Sequence, residues 1–97
     1  MATLLSDSEI EQRLASVGAW RREGESIVRD LEVADFATAI RFVEAVAAEA
    51  ERVNHHPDIL VHGYKLVRLT LSTHSAGGLT AGDFDLAASI EELIGQQ

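Results

Sequence analysis

One pattern, a helix-period apolar series that runs into the chain's single proline, limits what this sequence can fold into. Phe36, Ala39, Ile40, Val43, Ala47, Ala50 and Val53 recur at three- and four-residue steps. That is the spacing of an amphipathic helix. Asp35 stands where an N-cap belongs, with a side-chain oxygen able to accept a backbone N–H. Pro57 pushes the residue before it out of the helical region, so the helix must stop short of it. The stripe from Phe36 to Val53 is expected to be core, with Arg41, Glu44, Glu49, Glu51 and Arg52 off it. Its alanines let the helix lie close to a sheet.

The flanking segments supply the rest. Upstream, Ser6 and Glu9 form an S-x-x-E capping box, and Ile10, Leu14 and Val17 follow at helical spacing. A helix over Asp7 to Ser16 is predicted, with Gly18 as its stop. Gly24 then punctuates two strands, Ala19 to Glu23 and Ser26 to Val33, as a hairpin. In the second, Ile27, Leu31 and Val33 share a side and Val28 is out of phase. Past Pro57, Asp58 to His62 and Leu66 to Ser72 read as strands around H-G-Y-K. Val67, Leu69 and Leu71 face one way, Arg68 and Thr70 the other. Ser75 to Leu79 is a small-residue loop. Thr80 with Asp83 makes another capping box, and Phe84, Ala87, Ile90 and Ile94 mark a last helix closing at Gly95.

The order α-β-β-α-β-β-α implies an α+β two-layer sandwich: a four-stranded antiparallel sheet with three helices packed on one face. Residues 1–97 are read as one domain. Aromatic residues are only 5%, so the core must be mainly aliphatic, and association into an oligomer would add burial. The net charge of −8 argues against a nucleic-acid backbone or an anionic membrane as partner. There is no cysteine for a disulfide or a thiolate metal site, no apolar run of membrane-spanning length and no leader-like N-terminus. A soluble cytoplasmic protein is the expectation.

All four histidines, His55, His56, His62 and His74, fall within Glu51 to Asp83. Glu51 and His55 are four apart, which on a helix puts them on one face. His74 follows the last strand. Imidazole titrates near neutral pH, so such a group suits proton transfer. Asn54, Ser72, Thr73 and Ser75 flank it with neutral donors and acceptors, which suit a polar heterocycle better than a phosphorylated ligand. Two other readings stay open. The His-His-Pro turn can be a solvated helix end, where histidine charge is favourable. Glu51, His55, His56 and His74 also offer nitrogen and oxygen to a metal, although adjacent histidines rarely point to one ion and the H-E-x-x-H order is absent. His62 is given no role, and Trp20 is read as a core or interface anchor.

The spacing Glu51-x-x-x-His55-His56-Pro57, six residues, Tyr64, nine residues, His74, eight residues, Asp83 resembles the signature of the pterin-4a-carbinolamine dehydratases. N-H-H-P-D, L-T-L-S-T-H, the glycine pair before L-T-x-x-D, Trp20 and the A-D-F entry to the central helix agree with it. The likeness runs from about Val17 to Glu92. It implies dehydration of 4a-hydroxytetrahydropterin to quinonoid dihydropterin and water, without metal or organic cofactor, in support of tetrahydrobiopterin recycling. It implies His55, His56 and His74 as the catalytic histidines, and Glu51 and Asp83 as supporting carboxylates. Asn54, Pro57, Ser72, Thr73 and Ser75 would line the pterin site. It also implies a homodimer or homotetramer, whose dimers extend the sheet across the subunit boundary. The family's members double as dimerisation cofactors of a homeodomain transcription factor, so a non-catalytic assembly or transcriptional role is the alternative. This chain departs from the pattern by one extra residue between Pro57 and Tyr64, a hairpin one residue short after Trp20, and Ser75 where some members are acidic.

Overall fold

The computed structural model describes residues 3–96. Met1 and Ala2, part of the stretch read for a leader, lie outside them. The elements are α1 (Asp7–Ser16), β1 (Arg21–Glu23), β2 (Ser26–Glu32), α2 (Phe36–Val53), β3 (Asp58–His62), β4 (Leu66–Leu71), a 3-10 turn (His74–Ala76) and α3 (Ala81–Gly95). The sheet is antiparallel throughout, in the spatial order β1-β2-β4-β3.

Register explains which face is covered. Ile27 pairs with Leu71, Leu31 with Val67, and Ile59 with Leu69. Directly paired residues share a face. Val67, Leu69, Leu71 and Ile27 pack into one cluster with Ile10 and Val17 from the α1 segment, Phe42 and Val46 of α2, and Phe84 and Ile90 of α3. All three helices therefore lie on that side, as the pattern predicted. The predicted helix ends for α1 and α3 and the bounds of β3 match the observed ones.

The first strand starts later than expected. Trp20 N–H donates to the Val17 carbonyl, so the chain is still turning there, and ladder pairing begins at Arg21 opposite Val28. Trp20 itself is buried. Its indole N–H donates to Glu91 Oε1 at 2.9 Å, and the same oxygen accepts from Arg29 Nε at 2.7 Å, which ties α3 to the β1–β2 ribbon.

The apolar stripe of α2 requires a larger correction. Its buried residues are Ala39, Phe42, Val46 and Ala50. Phe36 is 54% exposed, Ile40 37% and Val53 41%, so that part of the expected core faces out. The helix is apolar over more than one arc, and contact with the sheet and α3 selects the arc centred on Phe42 and Val46.

On the uncovered face of the sheet, Asp30 is paired across the ladder with Arg68. Its carboxylate accepts from Arg68 Nε at 2.7 Å and from Arg21 Nη1 at 2.8 Å. Those guanidinium hydrogen bonds, Arg68 first, hold the Asp30 pKa down at about 2. The β3–β4 turn uses left-handed backbone at Gly63 (φ +52°) and Tyr64 (φ +56°). A Cβ at Gly63 would also stand 3.2 Å from Leu66 Cδ1, so glycine serves there twice over.

Candidate functional site

Three chain segments meet around Asp83. The first is the end of α2. Asn54 caps it in a left-handed conformation (φ +53°), and its N–H reaches back to the carbonyls of Ala50 and Glu51. His55 N–H bonds the Ala50 carbonyl at 3.0 Å, and Pro57 prevents any further turn. His55 is thus off the helix and half-buried. It does not share a helical face with Glu51, contrary to the simple four-residue spacing. Glu51 Oε2 instead meets His56 Nε2, and both side chains are solvent-exposed.

The second segment follows β4. Thr73 is buried and pairs as a β-bridge with Gly78, which closes the loop that carries the 3-10 turn. His74 opens that turn and is exposed, directly after Thr73. The third segment is the first turn of α3. Thr80 N–H donates to Asp83 Oδ2 at 2.9 Å, the backward-reaching half of a capping box.

Asp83 has no exposed surface. Its Oδ1 lies 2.6 Å from His55 Nε2. Its Oδ2 accepts from Thr73 Oγ1 at 2.8 Å as well as from Thr80 N–H. A buried carboxylate needs such partners, because desolvation without them is very unfavourable. Among the described residues, no buried side-chain nitrogen or oxygen is left without a hydrogen bond. The carboxylate also sits at the positive end of the α3 dipole, which favours the anion.

A cavity of about 400 Å³ opens against this cluster, lined by Asn54, His55, Thr73, Thr80, Leu86 and Ser89, with Arg52 and Asp85 at its walls. That volume falls within the range of small-molecule sites. A shallower hollow of about 350 Å³ lies on the open sheet face by Asp30, Glu32, His62, Leu66 and Arg68. It lacks a buried carboxylate–imidazole pair, so chemistry is better placed at the former.

Of the residues singled out from sequence, Asn54, His55 and Thr73 line the cavity, and Asp83 stands behind them. His56 and Glu51 form an exposed pair beside it in sequence. Pro57 is half-buried at the entry to β3. Ser72 donates its hydroxyl to the Glu25 carbonyl at 2.7 Å, in the β1–β2 turn, and Ser75 is exposed in the 3-10 turn. Among the described residues, no three carboxylate or imidazole side chains are grouped to hold a metal ion. The α3 wall was missed in the sequence. Its signal was the helical spacing of Gly82, Asp85, Leu86 and Ser89.

Comparison with known proteins agrees with the resemblance. The family described as pterin 4 alpha carbinolamine dehydratase matches residues 3–93. A relative from Roseiflexus castenholzii, named "Putative pterin-4-alpha-carbinolamine dehydratase", is 51% identical over 94 residues, which cover 97% of this chain and 100% of the relative. One of the same name from Acidobacterium capsulatum is 52% identical over 90 residues, covering 93% and 97%. The crystal structure of a transcriptional coactivator/pterin dehydratase from Brucella melitensis superposes with a TM-score of 0.88 at 32% identity, over 94% of this chain and 98% of that one. A pterin dehydratase-like protein described as a RuBisCO assembly factor in the alpha-carboxysome gives 0.64 at 26% identity, over 77% and 88%. This chain belongs to the pterin 4 alpha carbinolamine dehydratase family.

Proposed function

We propose that this protein removes water from a 4a-hydroxytetrahydropterin to give the quinonoid dihydropterin, by histidine general acid/base catalysis. The step balances simply. A general acid protonates the 4a-hydroxyl, the C4a–O bond breaks, and water leaves. A general base takes the proton from the neighbouring ring nitrogen as the C=N bond forms. Two imidazoles of opposite protonation suffice, each worth roughly 100-fold or more in rate.

The observation that carries this reading is the fully buried Asp83 against His55 at the cavity wall. A buried carboxylate orients an imidazole and fixes which ring nitrogen carries its hydrogen. Glu51 against His56 repeats the motif at the surface. His55, His56 and His74 take the proton-transfer roles, with Glu51 and Asp83 in support. Asn54 and Thr73 meet the heterocycle at the cavity wall, and Pro57, Ser72 and Ser75 lie in the two segments that carry them. Regeneration of tetrahydrobiopterin in the cytoplasm is the physiological role that follows.

We also infer a homodimer or homotetramer. Phe36 and Ile40 on the outer arc of α2, and the unpaired outer edge of β3, support association. A purely assembling or coactivating role is the second reading. Its support is that one structural neighbour is described as a transcriptional coactivator and the other as a RuBisCO assembly factor. Replacing His56 or His74 by alanine separates the two. Under the catalytic reading each substitution lowers the dehydration rate about 100-fold or more while the fold persists. Unchanged rates in both would leave only the assembly role.

A further inference from the structure

Behind Asp83 lies a pair of hydroxyls that the proton transfers above do not use. Thr73 and Thr80 are 8% and 3% exposed, and their Oγ1 atoms are 2.8 Å apart. Thr73 Oγ1 also donates to Asp83 Oδ2 at 2.8 Å. A hydroxyl has one proton to give. Thr73 gives its proton to Asp83, so the contact between the threonines must be Thr80 donating to Thr73. The chain of donors therefore has one direction, from Thr80 through Thr73 to the carboxylate.

The consequence reaches His55. Asp83 Oδ2 accepts both Thr73 O–H and Thr80 N–H, so it is filled as an acceptor. The remaining oxygen, Oδ1, faces His55 Nε2 at 2.6 Å. An ionised carboxylate only accepts, so Nε2 must carry the hydrogen. In the neutral ring the lone pair is then on Nδ1.

We propose that Thr73 and Thr80 are positioning residues: their one-way hydroxyl relay holds the carboxylate by Oδ2 with Oδ1 against His55 Nε2, and so keeps His55 in the Nε2–H tautomer, with Nδ1 free to take a proton. The catalytic half of this rests on the dehydratase reading; the tautomer half does not. A purely structural role, pinning the end of β4 to the start of α3, would leave the tautomer indifferent to the hydroxyls.

The test uses the full chain labelled with nitrogen-15 at histidine, as wild type, Thr73→Val, Thr80→Val and Thr73→Ser. Ring nitrogen shifts and couplings report the tautomer directly. The expected wild-type signature is Nε2–H at His55. Thr73→Val should mix the tautomers and lower kcat about tenfold, the loss of one net hydrogen bond, with KM little changed. Thr73→Ser should restore both. Wild-type His55 found as the Nδ1–H form overturns the proposal without any variant. So does an unchanged tautomer in a folded Thr73→Val or Thr80→Val protein. A locked tautomer in a wild type that eliminates no water upholds the relay and rejects the dehydratase reading, so the two fail separately.

Discussion

His55 Nε2 lies 2.6 Å from Asp83 Oδ1, across 28 positions of sequence. The pair couples the capped end of α2 to the first turn of α3. Asparagine at position 83 would keep the shape but leave a single acceptor oxygen. It would also place an amide among donors from His55, Thr73 and Thr80. Asp83→Asn should lose about 1–3 kcal/mol of stability, the usual result of unmade buried hydrogen bonds. Urea unfolding followed by circular dichroism measures it. Dehydration should slow in parallel.

The two faces of α2 predict opposite outcomes for similar substitutions. Phe42 is 2% exposed and Phe36 54%. Phe42→Ala should lose about 3–5 kcal/mol, because it removes a core ring and leaves a cavity. Phe36→Ala should stay within about 0.5 kcal/mol at concentrations where the chain is monomeric. Thermal or urea unfolding of both variants decides which arc is core.

That contrast also marks what the sequence could tell. Capping boxes at Ser6 and Thr80, and the stop at Pro57, are local chemistry and were readable. The alternation of Val67, Leu69 and Leu71 was readable for the same reason. The core arc of α2 was not, because apolar residues at 36, 40, 43, 46 and 50 satisfy helical spacing on overlapping stripes. Only the placement of the sheet and α3 chooses among them. The shared helical face expected of Glu51 and His55 is lost because Asn54 turns left-handed and swings His55 off the helix. Glu91 with Trp20 and Arg29, and Thr73 with Thr80, meet through tertiary folding, and no short-range pattern announces them.

Acid should expose the open-face ion cluster. The folded-state pKa of Asp30, about 2, is below its ordinary value of 3.8. A depressed carboxyl contributes stability that is full above the unfolded value and is lost as pH falls through the folded one. The window is therefore from about pH 4 down to about pH 2. The Asp30 side chain is 41% exposed, so solvent screening keeps the contribution under about 1 kcal/mol. In urea titrations across that window, the wild-type midpoint should fall more steeply than that of Asp30→Asn. Parallel slopes would show the cluster to be inert. Glu9 and Asp35, also depressed by hydrogen bonds at their helix starts, account for part of the slope common to both proteins.

Association should depend on the outer arc of α2. A glutamate in place of Phe36 or Ile40 puts charge where self-association would bury it. Sedimentation should show the wild type heavier than a monomer and both variants shifted toward one. A monomeric wild type would remove the oligomer from the account.

The most direct measurement is rapid mixing of the wild-type protein with a 4a-hydroxytetrahydropterin generated in place, followed by the absorbance of the quinonoid dihydropterin. The rate of water loss should rise in proportion to protein concentration above the spontaneous rate. A rate equal to the spontaneous one at every protein concentration would contradict the central claim.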